Sequence, residues 1–358
     1  MKKSLFIHIR RLCLLCLCLL VMPYALAETP EKKPTLEQLI QARQEWEVKS
    51  KQGDAEASAK LGALYLSGSL GSPDFTMARK YLEIGADVDL SARLAYGHLL
   101  MNGLGGKTDL NKAEQVFAKA AEKGSLEGLY LKSKLVLGRQ ASDSEVQTAV
   151  VNISNAADKG FPPALSTVGE FYRTGTFTKK NPELAIEYFL KAAKGGYAEG
   201  LTSAADMYLF SELGRANIAE AEKHYREAVS KGVKSASYSL AFLLYHKNPE
   251  NKELLSEAFQ IAKIAAFAWD ERCQYLLGLM YFEGLATPAD AEQAYFWLDL
   301  AASAGVFEAH HIRAISASSL TDKQVSRTKA RAQEWFTANH NQPHKHLFID
   351  NNVHRYSK

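Results

Sequence analysis

The sequence predicts an all-α fold, a right-handed α-solenoid of about seven helix-turn-helix repeats closed by N- and C-terminal capping helices. Two observations carry that expectation. A helix, turn, helix, turn unit recurs with boundaries at Gly53, Val88, Gly124, Gly160, Gly196, Gly232, Trp269 and Gly305, spaced 35 to 37 residues apart. Self-similarity at a fixed period of this size marks a repeat array. Inside the unit, small and large residues recur in fixed columns, as helices that bury their apolar faces only against neighbouring repeats require.

Taken in order, residues 1–27 read as a secretory signal peptide. Met1-Lys2-Lys3 and Arg10-Arg11 supply positive charge, Leu12 to Met22 an apolar run too short to span a membrane, and Ala25-Leu26-Ala27 a small-residue site with cleavage after Ala27. The residue before Cys16 is Leu15, where lipid attachment needs a small one. The segment holds four Lys or Arg and no acid, so its removal takes the formal charge from +3 to −1. That balance gives no support for a nucleic-acid partner. Three of the four cysteines leave with it; only Cys273 remains, so no intramolecular disulfide can form in the oxidising compartment that export leads to. The expected location is the periplasm, with release into the medium as the alternative.

Residues 28–52 form a leader and the N-terminal capping helix. Leu36, Leu39, Ile40, Arg43 and Trp46 lie at helical spacing, and Thr35 after Pro34 is placed to cap. Residues 53–305 hold the seven repeats. Nine places after each boundary stand Gly62, Gly97, Ser133, Gly169, Ala205, Ala241 and Gly278. Glycine weakens a helix interior by roughly 1 kcal/mol relative to alanine, so its recurrence implies close approach of the paired helix. Two places further on, Leu64, Leu99, Leu135, Phe171, Met207, Leu243 and Met280 are core residues.

The second helices carry Ala78, Ala113, Ala149, Ala185, Ala221, Ala258 and Ala294 in one column, where a larger side chain would overpack the pair. Bulky partners follow one turn later, such as Tyr81-Leu82, Val116-Phe117, Tyr188-Phe189, His224-Tyr225 and Trp297-Leu298. Gly68, Gly103, Gly175 and Gly284 close the first helices of their units, as left-handed caps. Repeats three, five and six lack that glycine. Residues 306–338 start another first helix at Val306 and continue, after the cap-forming run Ser319-Leu320-Thr321-Asp322, into a closing helix whose contacts come from Val325, Ala332, Trp335 and Phe336. Residues 339–358 are a flexible tail rich in His and Asn.

The patterns Leu-Gly-x-x-Tyr-x-x-Gly and Ala-x-x-Tyr/Trp-x-x-Ala-Ala-x-x-Gly resemble the Sel-one-like repeat, a relative of the tetratricopeptide repeat. Gly53 to Gly85, Gly160 to Gly196 and Arg272 to Gly305 carry the likeness best, and it extends from residue 53 to about 316. Repeat three departs most, with Lys132 at an apolar place and Asn152 in place of the second-helix aromatic. The resemblance implies an adaptor in envelope polymer export, cell-wall enzyme regulation, motility, signalling or host contact. Some secreted members act on β-lactams, but those carry paired cysteines in each repeat, which this chain lacks.

Four features could bear chemistry. Gly103-Leu104-Gly105-Gly106-Lys107-Thr108 looks like a phosphate-binding loop, but Met101 stands where the motif needs its first glycine and the string follows a helix, so a solvated turn is expected. His340, His344, His346 and His354 have metal-binding side chains without an ordered carboxylate or cysteine framework, and no metal site is expected there. Cys273 is expected to be a small buried hydrophobe. The remaining candidate is the groove formed by the first helices, whose positions three, seven, ten and fourteen are expected to share a face. His98, Asn102, Lys134, Glu170, Thr174, Asp206 and His246 form a mixed-charge stripe on it, with Glu283 beyond and Phe242 and Leu279 adding an apolar end.

The expectation is therefore a non-enzymatic scaffold, without catalytic residues, cofactor or metal. It binds a protein or peptide partner of the cell envelope along the concave groove, and the mature form has no membrane span. The alternatives are a secreted host-interaction factor and a hydrolase acting on cell wall or β-lactams.

Overall fold

The computed structural model describes residues 34–210, 214 and 216–340, with residues 339 and 340 described by backbone alone. The expected signal peptide with its cleavage site at Ala27, and the tail from residue 341 onward, lie outside the described residues. Seventeen helices and no strand are present among the described residues. They fall into two compact units that meet in sequence between Asn181 and Pro182.

The first unit holds α1 (Leu36–Lys51), α2 (Ala55–Ser67), α3 (Phe75–Gly85), α4 (Leu90–Asn102), α5 (Leu110–Glu122), α6 (Leu126–Leu137), α7 (Asp143–Asp158) and α8 (Pro162–Thr174). The second holds α9 (Pro182–Lys194), α10 (Glu199–Leu209), α11 (Ile218–Ser230), α12 (Ser235–Lys247), α13 (Lys252–Phe267), α14 (Glu271–Glu283), α15 (Ala291–Ser303), α16 (Phe307–Ser318) and α17 (Asp322–His340). Within each unit every helix packs on the next, except that α17 packs on α15.

The helix ends follow from local chemistry. Thr35 and Gln38 form a reciprocal capping box on α1. Asp54, Asp89 and Asp270, each one place after a boundary, accept the backbone N–H three residues on, as at Asp54 Oδ1 from Ala57 N at 2.9 Å. Gly68, Gly103, Gly175 and Gly284 close their helices at φ 66°, 68°, 76° and 70°, the left-handed caps that the sequence predicts. The boundary glycines also have positive φ, from 79° at Gly160 to 108° at Gly196. Among the described residues Trp269 alone holds this conformation without being glycine, at φ 70°.

The columns are the core. All seven column alanines are at most 2% exposed. A Cβ on Gly62 would stand 2.5 Å from Leu82 Cγ and one on Gly278 2.7 Å from Leu298 Cγ, while one on Gly97 would enter the ring of Phe117. The missing side chain is thus the space that the paired helix fills, which offsets the helix-weakening effect of glycine. In repeat three Asn152 stays half-buried and Ile153 beside it takes the fully buried place, so the apolar column continues there. The turn after Gly103 is solvated over Gly106, Lys107 and Thr108, as expected, and packed at its start. Leu104 is buried, Gly105 lies against the Phe75 carbonyl, and Arg79 Nη1 donates to the Lys107 carbonyl at 2.9 Å.

One buried histidine couples the second unit to pH. His224 is 7% exposed, stacks on Tyr208 at 5.8 Å, and its Nδ1 has no hydrogen-bond partner. Burial and then Lys223 hold its pKa below the ordinary value, against the opposing pull of Glu220 and Glu227. A depressed folded pKa means that the unfolded chain takes up the proton first. The stability held by the neutral ring is therefore complete above the unfolded value of about 6.5 and is lost as pH falls through the folded one. Urea melts at pH 7.5 and pH 5 should show the wild type losing more stability on acidification than His224→Gln.

Candidate functional site

In the first unit the candidate face runs over α4, α6 and α8. His98 Nε2 meets Glu127 Oε1 at 2.9 Å and its ring stands edge-on to Phe117 at 5.6 Å. Tyr130 Oη and Thr167 Oγ1 are 3.1 Å apart. The Lys134 ammonium is half-buried, and desolvation lowers its pKa against the opposing Glu170 carboxylate. Glu170 is held two-pronged by Arg173, with Nε donating to Oε2 at 2.8 Å. Asn102 Nδ2 donates back to the His98 carbonyl and Thr174 Oγ1 to the Glu170 carbonyl, both at 2.9 Å. The structure thus brings His98 to Glu127 and Lys134 towards Glu170, and it satisfies Asn102 and Thr174 within their own helices.

The second unit presents a different surface. Asp206 accepts a hydrogen bond from the hydroxyl of Tyr225, which is fully buried. Asp206 therefore anchors a core side chain, and reversing its charge would disturb the fold. Glu283 likewise accepts from the Tyr245 hydroxyl across one repeat. On α12, Tyr238, Phe242 and His246 form a ladder, with ring centroids 5.7 Å and 4.3 Å apart. The Arg272 guanidinium on α14 lies 4.9 Å over the Tyr238 ring, a cation–π contact. Leu279 is partly buried against the core. Beyond it, Tyr275 of α14 and Phe307, Glu308 and Ile312 of α16 line a hollow of about 410 Å³. Burial and then the Glu308 and Glu283 carboxylates raise the Tyr275 pKa, so the phenol stays neutral. Phe307 is 82% exposed and Phe242 39% exposed.

Position six lies beside position seven on this face. Position seven is exposed at Lys60 and half-buried at Thr167, though buried at Ala95 and Leu276, while position six supplies Tyr130, Tyr238 and Tyr275, which were not among the candidates. Their signal was present as an aromatic recurring six places after Gly124, Gly232 and Trp269. Arg272 and Glu308 were not named either, although both stand at position three, which the sequence assigns to this face; Phe307, at position two, lies outside the expected positions. Cys273 is fully buried, its backbone N–H donates to Asp270 Oδ1 at 2.8 Å, and burial pushes its thiol pKa well up, which makes it a core residue as expected. Among the described residues no helix is long and apolar enough to cross a membrane.

Helix pairs stacked through interlocking columns, with variable side chains left on the first helices, define an α-helical repeat protein of the solenoid class. The chain belongs to the Sel1 repeat family, whose model matches residues 55–89, 90–125, 162–197, 198–233 and 272–306. The unmatched stretches fall on repeats three and six, two of the units without a closing glycine. Members of this family generally mediate protein–protein interaction and are typically non-enzymatic scaffolds. Over 268 residues the chain is 26% identical to the chitin synthase regulator SKT5 of Saccharomyces cerevisiae, a match that takes in 70% of this chain and 38% of that protein. The chain therefore spans well under half the length of this relative. Its fold is similar to that of the Sel1 repeat protein from Oxalobacter formigenes, at 24% identity, covering 85% of this chain and 87% of that one, with a TM-score of 0.53. A looser likeness, with a TM-score of 0.41 and 20% identity over 85% of this chain and 72% of the other, is to c5321, a protective antigen of uropathogenic Escherichia coli.

Proposed function

We propose that this protein is a non-enzymatic adaptor that captures an extended or helical segment of a partner protein on the first-helix face of its second unit, and that it works in the cell envelope after export. One observation carries the binding assignment. Tyr238, Phe242, Tyr275 and Phe307 form an aromatic run on neighbouring first helices, interleaved with Arg272, Glu283 and Glu308. Aromatic side chains offer large contact area at low entropic cost, and a charged border confers orientation on a bound segment. A reaction centre would need a nucleophile beside a base or converging acids with separated roles; here Glu283 is engaged by Tyr245 and Cys273 is inert. The yeast relative is named for regulating a polymer-forming enzyme, which supports a regulatory rather than a catalytic role. The envelope assignment rests on the signal-type sequence ending at Ala27.

Replacing Phe242 or Phe307 in cells with the photocrosslinking residue benzoylphenylalanine should give adducts with one common protein. The same residue at Ile264, which is 72% exposed on a second helix, should not. Phe242→Glu with Phe307→Glu should abolish capture and leave the melting temperature unchanged. Adducts of equal yield from Ile264 would remove the assignment of this face. Cell fractionation with N-terminal sequencing tests the location, and a mature protein that still begins at Met1 would overturn export with cleavage.

A further inference from the structure

The array begins and ends on half a repeat. The helix α1 occupies the second-helix register. Ala42 stands eleven places before the boundary Gly53, as Ala113 does before Gly124 and Ala294 before Gly305, and Trp46 four places on holds the bulky column of Leu82, Phe117 and Leu298. One period earlier the grammar stops, for residues 19–31 contain Pro23 and Pro30 and put Leu26 where the small residue belongs. The first helix that α1 would pair with is therefore missing from the repeat pattern. Ala42 and Trp46 are only half-buried, whereas the other column alanines are at most 2% exposed. Along the same helix Leu36, Ile40 and Val48 are 58%, 39% and 56% exposed.

At the other end, α16 is a first helix without its second. Ala314 lies nine places after Gly305, in the column of Gly62, Gly97 and Gly278, and it is exposed. Ile315 beside it is 39% exposed. The following helix α17 packs on α15, through Trp335 on Trp297 and Arg327 on Glu292, rather than on α16 in the manner of a second helix. One end of the chain thus presents an unpaired second helix and the other an unpaired first helix. The interface each lacks is the one the complete repeats already make, with a bulky residue set over a small one in all but the sixth.

We infer that α1 of one copy seats on α16 of the next, with Trp46 over Ala314 as Leu82 sits over Gly62, so that the chain assembles head to tail. The contact is heterologous and leaves one free half-repeat at each end, so it builds open chains rather than a closed pair. The seam shares α16 with the partner-binding face proposed above, since Ala314 and Ile315 stand seven places after Phe307 and Glu308 on the same side of that helix; Phe242 on α12 reports on that face without the seam, and Ala314→Arg reports on the seam.

Full-length protein with Cys13, Cys16 and Cys18 changed to serine and carrying Ala42→Cys and Ala314→Cys tests the contact by oxidation with copper phenanthroline, since the remaining native cysteine, Cys273, is fully buried. The expected result is a ladder of disulfide-linked multimers. An equal mixture of the two single-cysteine proteins should stop at a dimer holding one of each. Trp46→Ala should weaken self-association in sedimentation equilibrium about 30-fold, the effect of losing an interface hot spot. Ala314→Arg, on an exposed site that leaves α1 untouched, should weaken it as much. Absence of the ladder, dimers only between like single-cysteine chains, or self-association unaltered by Ala314→Arg would each overturn the inference. So would a cysteine at 314 that reacts with maleimide only after residues 341–358 are deleted, which would assign the face to the chain's own C-terminal segment.

Discussion

Phe117→Ala is expected to lower stability by about 3–5 kcal/mol, the range for removing a fully buried aromatic side chain, with urea denaturation as the measurement. Phe117 has no exposed surface and fills the space that Gly97 leaves open on α4. Its ring also backs the imidazole of His98, so the loss reaches the candidate face as well as the core. Gly97→Ala alone should cost about 1–3 kcal/mol, because the new Cβ enters the ring and the pair becomes overpacked. The two changes together should cost less than their sum by about 0.5–3 kcal/mol, since the new methyl fills part of the cavity. Repeat six gives the precedent, with fully buried alanines, Ala241 and Ala262, in both columns. Strict additivity would show that the glycine column does not exist to admit the partner's side chain.

The same columns explain why the fold was readable. The columns of Gly62 and Leu82, or of Gly278 and Leu298, are small and large in every repeat but the sixth, so packing writes itself into the sequence at a fixed period. The left-handed caps at Gly68, Gly103, Gly175 and Gly284 were legible for a similar reason, because few other residues adopt that backbone. The face was read less well. A turn of 3.6 residues sets positions six and seven side by side at the boundary between core and surface, and position seven falls inside at Ala95 and Leu276 but outside at Lys60. Pairs such as His98 with Glu127, Tyr225 with Asp206 and Tyr245 with Glu283 join residues 29, 19 and 38 apart. Each is made once, so no periodic signal announces it. Asp206 was a plausible groove residue by column and proved to be the acceptor for a buried phenol.

Trp335→Ala should release α17 from the second unit at a cost of about 2–3 kcal/mol, below the full range for tryptophan because the side chain is only half-buried. Its ring stacks on Trp269 at 4.6 Å and stands edge-on to Trp297 at 5.8 Å. Hydrogen exchange should then accelerate across 322–340 while α12 to α15 stay protected. The informative partner change is Trp269→Gly. Trp269 sits at φ 70°, where a boundary glycine stands in most other repeats, and a non-glycine residue there costs about 1–2 kcal/mol. In the wild type that cost is outweighed by burying the ring against Trp335 and Phe336, worth about 2–3 kcal/mol for a large apolar side chain. Trp269→Gly should therefore destabilise the intact protein by about 1 kcal/mol. In the Trp335→Ala background the ring has lost its principal stack while the backbone strain remains, so the same substitution should become neutral or stabilising. A change of sign between the two backgrounds would show that the closing helix is what makes tryptophan the better residue at a place the repeat reserves for glycine; the same destabilisation in both would show that Trp269 is held by its own repeat.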